Sequence, residues 1–413
     1  MDENLDTIRR ELKKYSQEHL LNEYERLDGV KQKQLLNQIE NIDFEMINSL
    51  YRNTKNGFDT KDSQITPIEY FDKGNLNGYY KSFQETGEQA IRAGKLAAVT
   101  MAGGQGTRLG HSGPKGTFDI GLESHKSLFE LLSDSLKEQG KKYDVTIPWF
   151  IMTSEENNDD TINFFAKNRY FGYQKDKNIF FFKQGELPMV DTEGKILIGE
   201  NGLIKEAADG HGGIYEALVK NGMTKKMREL GVEWIFIGGV DNCLVKMVDP
   251  ILMGLAIQKH VTAAGKSVVK ANPQEKVGVF CKKNGRPSVV EYTEIPKEMA
   301  EAKNENGELV YGESHILCNL FNIDAVERMG SKPLPYHSAF KKATYLDKDG
   351  NKVVPDGPNA YKFEAFLFDA FGELDDMAIL RVNREEEFAP VKNAAGVDSP
   401  ETARELYRKF YKL

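Results

Sequence analysis

The sequence predicts an α/β fold: a mainly parallel sheet covered by helices on both faces, with an N-terminal helical arm and a smaller antiparallel layer. Three observations predict it. The run Leu96-Ala97-Ala98-Val99-Thr100-Met101 is apolar, rich in small and β-branched residues, and ends abruptly at Gly103-Gly104-Gln105-Gly106, as an inner strand delivering a tight loop does. Further apolar runs at 147–154, 179–182 and 234–237 alternate with helical segments. Strands separated by helices imply right-handed crossovers and parallel pairing. The chain of 413 residues is also long enough for one large domain with an appendage.

Residues 1 to about 50 are dense in Leu, Ile, Glu, Lys and Gln and contain no proline, which reads as helix. Ile8, Leu12 and Tyr15 recur at helical spacing. Leu35, Leu36, Ile39 and Ile42 do so again after a break at Leu27-Asp28-Gly29. A surface connection is expected over 51–65, with Asn53, Asn56, Gly57, Asp59 and Asp62, then a helix over 77–93 leading to the strand at 96. The division expected is an arm over 1–94 and a main domain over 95–413.

Beyond the glycines, a helix is expected from Ser127 to Leu136, a strand at 147–154, a helix from Thr161 to Lys167 and a strand at 179–182. One helix from Gly212 to Glu229 then precedes the strand at 234–237. Val277 to Tyr292 has hairpin character around Lys283-Asn284-Gly285 and is expected to form the antiparallel layer. A helix from Lys362 to Phe371, a strand from Ala378 to Val382 and a helix from Pro400 close the chain. There is no internal repeat and no low-complexity tract.

The formal net charge of −8 argues against general nucleic-acid binding, which needs a basic face. Cys243, Cys281 and Cys318 are odd in number and form no C-x-x-C pair, so neither a disulfide framework nor a structural zinc site is implied. The charged start MDENLDTIRR lacks the apolar core of a signal peptide, and no uninterrupted apolar span reaches transmembrane length. A cytoplasmic protein with no membrane partner is expected.

Four glycines in eight residues let consecutive backbone N–H groups point at phosphate oxygens, with Arg108 and Lys115 adding positive charge. Two commoner phosphate loops fail. The dinucleotide fingerprint needs glycine where Leu109 stands, and the Walker pattern finds no Gly-Lys-Ser/Thr at its offset. Gly265-Lys266-Ser267 has His260 where the first glycine belongs. What remains, Gly103-Gly104-Gln105-Gly106-Thr107-Arg108 followed by Pro114-Lys115, resembles the signature of sugar nucleotidyltransferases.

Further blocks extend the resemblance to the UDP-sugar pyrophosphorylases, especially the UDP-N-acetylglucosamine branch. They are Tyr15-Ser16-Gln17-Glu18-His19-Leu20-Leu21, the run 147–154, Gln184-Gly185-Glu186-Leu187-Pro188, Gly239-Val240-Asp241-Asn242, Val290-Glu291-Tyr292 and Pro390-Val391-Lys392-Asn393-Ala394. The resemblance implies a Rossmann-like nucleotidyltransferase sheet and an enzyme joining UTP to a hexose 1-phosphate, with Mg²⁺ as cofactor. N-acetylglucosamine 1-phosphate is the acceptor it favours. A monomer or weak homodimer is expected.

Residue by residue, the resemblance implies that Gly103, Gly104, Gly106 and Thr107 hold the triphosphate together with Arg108 and Lys115. Lys392 would meet the sugar phosphate, and Asp241, ending an apolar strand, would hold the metal or else cap the next helix. Gln184 can read uracil, since a carboxamide presents donor and acceptor together, with Gly210, His211 and Gly212 nearby. Glu291, Tyr292, His315 or Asn319, Phe366 and Phe368 would line the sugar, a plain core role being open for the two phenylalanines.

Departures bear on the sugar. The branch usually reads Gly-Asn-Gly-Gly where this chain has Gly210-His211-Gly212-Gly213, which is closer to the UDP-glucose branch, and a sugar-binding asparagine of the family aligns with His315. Eukaryotic members also continue into a small C-terminal domain, which is not expected here. The alternatives are a UDP-glucose or broad-range UDP-sugar pyrophosphorylase and, more remotely, a non-catalytic nucleotide-sugar sensor.

Overall fold

The computed structural model of the protein describes residues 2–54, 63–76 and 78–413, with side chains from residue 5 onward. The chain divides into two compact units. One comprises Met1–Asp62, Gly185–Gly212 and Leu334–Phe366, and the other Ser63–Gln184, Gly213–Pro333 and Leu367–Leu413.

In the first unit, helices Asp2–Lys14, Gly29–Asn41 and Phe44–Asn53 follow the expected periodicity. The break at residues 27–29 is an N-cap: the Asp28 carboxylate accepts from the N–H groups of Val30 and Lys31. Leu12, Leu20, Leu35, Ile39 and Ile47 share a core with Val190, Ile196, Ile198, Ile204 and Phe363. The Gln17 amide accepts from Ile196 N–H at 3.0 Å and donates to the Gly194 carbonyl at 2.9 Å, and His19 Nε2 lies 2.7 Å from the Ile196 carbonyl. Gln17 and His19 of the Tyr15–Leu21 block thus satisfy backbone groups of residues 194 and 196, a structural role. Asn56, Gly57, Asp59 and Asp62 of the connection expected over 51–65 lie outside the described residues, and Asn53 closes its helix.

The second unit holds one sheet. Its strands are β1 (Ile65–Pro67), β2 (Phe71–Asp72), β3 (Leu96–Met101), β4 (Trp149–Thr153), β5 (Ile179–Lys183), β6 (Trp234–Gly239), β7 (Ala263–Val269), β8 (Val279–Lys283), β9 (Arg286–Val290), β10 (Glu313–Asn322) and β11 (Ala378–Arg381). The main order is β2-β11-β7-β10-β6-β3-β4-β5. All neighbours are parallel except β10, which runs antiparallel to both β7 and β6. β3 sits inside, buried along its whole length, which is why its sequence is continuously apolar rather than alternating. Among the described residues no helix is long and apolar enough to cross a membrane.

Three expectations need correction. The hairpin forms, with Asn284 and Gly285 both at positive φ as a two-residue turn requires, but it belongs to the main sheet. β10 outruns β6: its residues 318–322 pair with β6, while Ser314 pairs with Val279 of β8. The helix expected over 212–229 is two, Ile214–Lys220 and Met223–Glu229, parted at Gly222, whose φ of +71° does not continue a helix. The helix expected from Lys362 to Phe371 begins instead as a strand, Ala360–Glu364, paired with His337–Lys341 and Val190–Asp191, and only Leu367–Glu373 is helical, as a 3-10 segment. Local helix propensity is overridden there by backbone pairing on both sides.

Candidate active site

The glycine loop leaves the carboxyl end of β3. It is closed on itself by Gly106 N–H to the Gly113 carbonyl at 2.9 Å and Lys115 N–H to the Gly104 carbonyl at 3.0 Å. A buried side chain absent from the sequence reading holds it from below. Asn157 donates to the carbonyls of Ala102 (2.8 Å) and Gly104 (3.3 Å) and accepts from Ser154 N–H (2.9 Å). Its only sequence signal is an asparagine three residues after Ser154, the serine that follows β4.

Gln184 directly follows β5, as the loop follows β3. Its carboxamide lies so close over Gly103 that a Cβ there would stand 2.3 Å from Gln184 Oε1, so glycine at 103 is a requirement of the Gln184 position. A Cβ at Gly104 meets nothing within 4 Å; no protein packing demands that glycine. Thr107 and Arg108 sit exposed in the turn Thr107–Leu109.

Asp241 follows β6 at the same edge. It caps no helix, since the next one, Pro250–Gln258, is capped by Asp249. Lys115 Nζ stands 3.5 Å from Asp241 Oδ2. The segment carrying Lys392 is stitched to the same corner: Val391 N–H donates to the Asp241 carbonyl at 2.9 Å. The buried Asn242 amide accepts from Ala389 N–H (2.9 Å) and donates to the Glu387 carbonyl (2.8 Å). Lys392 itself is exposed, with Nζ 3.8 Å from Asp398 and 5.5 Å from the Phe388 ring centroid.

Behind that segment lies a buried charge network. Lys266 Nζ contacts Asp249 at 2.8 Å and Glu387 at 2.5 Å, and Lys73 Nζ contacts the same two carboxylates at 2.8 Å each. Burial works to raise the carboxyl pKa values, but for Asp249 the charges of Lys266 and Lys73 outweigh it and hold the group well below the usual range. Glu387 is lowered in the same way.

His315 and Asn319, expected as alternatives, are hydrogen-bonded to each other, His315 Nε2 lying 3.2 Å from Asn319 Nδ2 and 3.3 Å from its Oδ1. Leu317 between them has φ +55°, which kinks β10 and brings the two side chains together. Asn319 is fully buried and His315 8% exposed, its ring edge-on to Phe280, Phe368 and Phe371 at 4.9–5.8 Å. Glu291 is half-buried beside Gly278, whose carbonyl accepts from His315 N–H, and Tyr292 is exposed. Loop, Gln184, Asp241, Lys392, Glu291, Tyr292, His315, Asn319 and Phe368 all belong to the second unit.

Gly210, His211, Gly212 and Phe366 belong to the first unit. There Gly212 N–H donates to the Ala365 carbonyl at 2.8 Å. Phe366 meets the His211 ring at 5.5 Å and stacks with His337 at 4.6 Å, a histidine the sequence reading did not single out.

A family model described as UTP--glucose-1-phosphate uridylyltransferase matches residues 43–397. Among curated relatives, UDP-N-acetylglucosamine diphosphorylase 2 of Arabidopsis thaliana is 37% identical over 97% of this chain and 82% of its own length. The UDP-N-acetylglucosamine pyrophosphorylase of Saccharomyces cerevisiae is 36% identical over 97% and 85%. Among solved structures, the uridine diphosphate N-acetylglucosamine pyrophosphorylase of Trypanosoma brucei, in complex with inhibitor, superposes with a TM-score of 0.83 at 31% identity, covering 98% of this chain and 84% of that one.

Proposed function

We propose that this chain, which belongs to the UTP--glucose-1-phosphate uridylyltransferase family, joins UTP to N-acetylglucosamine 1-phosphate, giving UDP-sugar and pyrophosphate. The observation that supports the chemistry is the corner at Asp241, where a carboxylate after β6, Lys115 from the glycine loop and the Lys392 segment meet within hydrogen-bonding and ion-pair distances. In open parallel sheets ligands bind at that edge. The relatives named above support the acetylated sugar.

The reaction is an in-line displacement. An oxygen of the sugar phosphate forms a bond to the α-phosphorus of UTP as the bond from that phosphorus to the bridging oxygen breaks, and pyrophosphate leaves with the electron pair. The sugar phosphate is ionised at neutral pH, so no side chain has to remove a proton. The protein's task is to bring anions together and neutralise the charge that develops on the leaving group. Lys115, Arg108 and the loop N–H groups are assigned to the triphosphate, Lys392 to the sugar phosphate, Gln184 to the uracil edge, and Glu291, Tyr292 and His315 to the sugar, with Asn319 fixing the His315 ring.

Mg²⁺ fits this corner in one form only. Among the described residues no three His, Cys, Asp or Glu side chains converge on a metal, so Asp241 would hold a hard cation that keeps most of its waters rather than one caged by protein ligands. When bound, such a cation neutralises phosphate charge. Asp241→Asn should raise the Mg²⁺ concentration needed for half-maximal rate about tenfold or more, because a neutral amide holds a hard cation less well than a carboxylate. An unchanged metal titration would remove Asp241 from this role.

The assay that tests the function is pyrophosphate release from UTP across a panel of sugar 1-phosphates. N-acetylglucosamine 1-phosphate is expected to give the highest kcat/KM, since a pocket built for an acetamido group leaves polar groups unpaired around glucose. Preference for glucose 1-phosphate would move the chain to the glucose branch. Absence of turnover with every sugar would favour the sensor reading.

A further inference from the structure

We infer that Lys270 is a further substrate-binding residue, whose ammonium meets the phosphate of the hexose 1-phosphate; the inference rests on the uridylyltransfer reading. Lys270 comes directly after β7, and its N–H donates to the Gly312 carbonyl at 2.8 Å, which extends the β7–β10 pairing by one residue. β10 is antiparallel to both β7 and β6, so β7 runs with β6 and β3 and ends at the same edge. Lys270 therefore follows β7 as Asp241 follows β6, Gln184 follows β5 and the glycine loop follows β3.

Its environment is unusual for a lysine. It is 4% exposed, and lysines are almost never so buried unless paired. Among the described residues no ion pair or hydrogen bond engages its ammonium. The acidic group that acts on it, Glu275, is committed elsewhere: its Oε1 accepts from Arg384 at 2.8 Å and its Oε2 from Ala271 N–H at 2.6 Å. Burial accordingly lowers the Lys270 pKa, with Glu275 acting the other way. Lys266, four residues earlier, is more deeply buried still, at 1% exposed, but lies between two carboxylates. A desolvated cation without a partner is costly, and such groups collect where a ligand supplies the missing charge.

Topology points to the acceptor's phosphate. Side chains alternate along a strand, so Lys266 and Lys270 leave β7 on one side. Lys266 meets Glu387, and from Glu387 the chain runs through Val391, bonded to Asp241, to Lys392. The strand and the segment thus start at one ion pair and end at one edge, each carrying a lysine. Three strand spacings, about 14 Å, separate β7 from β3, which places Lys270 away from the triphosphate loop. It stands instead beside β10, which carries His315.

The test uses the full chain with Lys270→Met and Lys270→Arg. A charge-assisted hydrogen bond lost to a phosphate should raise the KM for N-acetylglucosamine 1-phosphate about 10- to 100-fold in K270M, leave the KM for UTP within about twofold, and be largely restored in K270R. Thermal unfolding of K270M should occur no lower than wild type, because the variant removes an unpaired buried charge. An unchanged sugar phosphate KM, an equal rise for both substrates, or a lowered unfolding temperature would each overturn the inference. Titrating N-acetylglucosamine 1-phosphate onto wild type and K270M, each saturated with a non-hydrolysable UTP analogue, reads the contact without turnover. Equal affinity there rejects Lys270, whereas absent turnover in the wild type with a weakened K270M titration rejects only the catalytic reading.

Discussion

Lys115→Ala should lower kcat about 10²- to 10³-fold while UDP-sugar binding stays measurable, because its charge matters most when negative charge moves onto the departing pyrophosphate. The position of the side chain supports this. Its ammonium stands 3.5 Å from the Asp241 carboxylate rather than out in solvent, and its own N–H closes the loop through the Gly104 carbonyl. The substitution leaves that backbone bond in place, so the loss should fall on the chemical step and not on folding. Pyrophosphate release measured alongside UDP-sugar titration separates the two, and near wild-type turnover would take Lys115 out of the site.

Glu387→Ala is expected to destabilise the second unit by about 3–5 kcal/mol, the cost of leaving a buried cation uncompensated. Glu387 is fully buried between Lys266 and Lys73, and its loss leaves two lysines sharing Asp249. The network also sets a pH dependence. Asp249 and Glu387 both have folded pKa values below their unfolded ones, so their contribution is present above roughly pH 4 and is lost as pH falls through the folded values. Urea midpoints recorded between pH 3 and 7 should fall steeply on acidification in the wild type and less steeply in the variant. A variant that matches the wild-type midpoint at pH 7 would mean the pairs contribute nothing net.

The two effects are linked through the chain. Glu387 is held at its carboxylate by lysines and at its carbonyl by Asn242, and five residues later comes Lys392. Charge burial therefore anchors the segment that carries Lys392, the cation assigned above to the sugar phosphate. None of this was legible from residue types, since Glu387 reads in the sequence as one of three consecutive glutamates.

Legibility followed the range of the interaction responsible. The β3 strand, its glycine loop, the helix break at residues 27–29 and the turn at Asn284-Gly285 were readable because each rests on neighbours within a few residues: apolar continuity, a glycine that interrupts a helix, or a backbone that needs positive φ. Asp241 stood out because a carboxylate closing an apolar strand is out of place in a core, whereas Gln184 was singled out by the family resemblance and not by its residue type. The segment from Lys362 misled because its helical composition is outweighed by pairing with strands distant in the chain.

The sequence by itself determined the α/β class, the glycine loop that follows β3 and the family, since these depend on local pattern and on short blocks in a fixed order. Only the tertiary structure decided that Asp241 faces Lys115 instead of capping a helix, that His315 and Asn319 form one hydrogen-bonded pair, that Asn157 braces the glycine loop and Asn242 the segment leading to Lys392, and that Lys270 is buried at the end of β7. The physical reason is burial. Whether a polar side chain is solvated, satisfied or left desolvated without a partner depends on residues brought together from far along the chain, and residue type alone does not encode it.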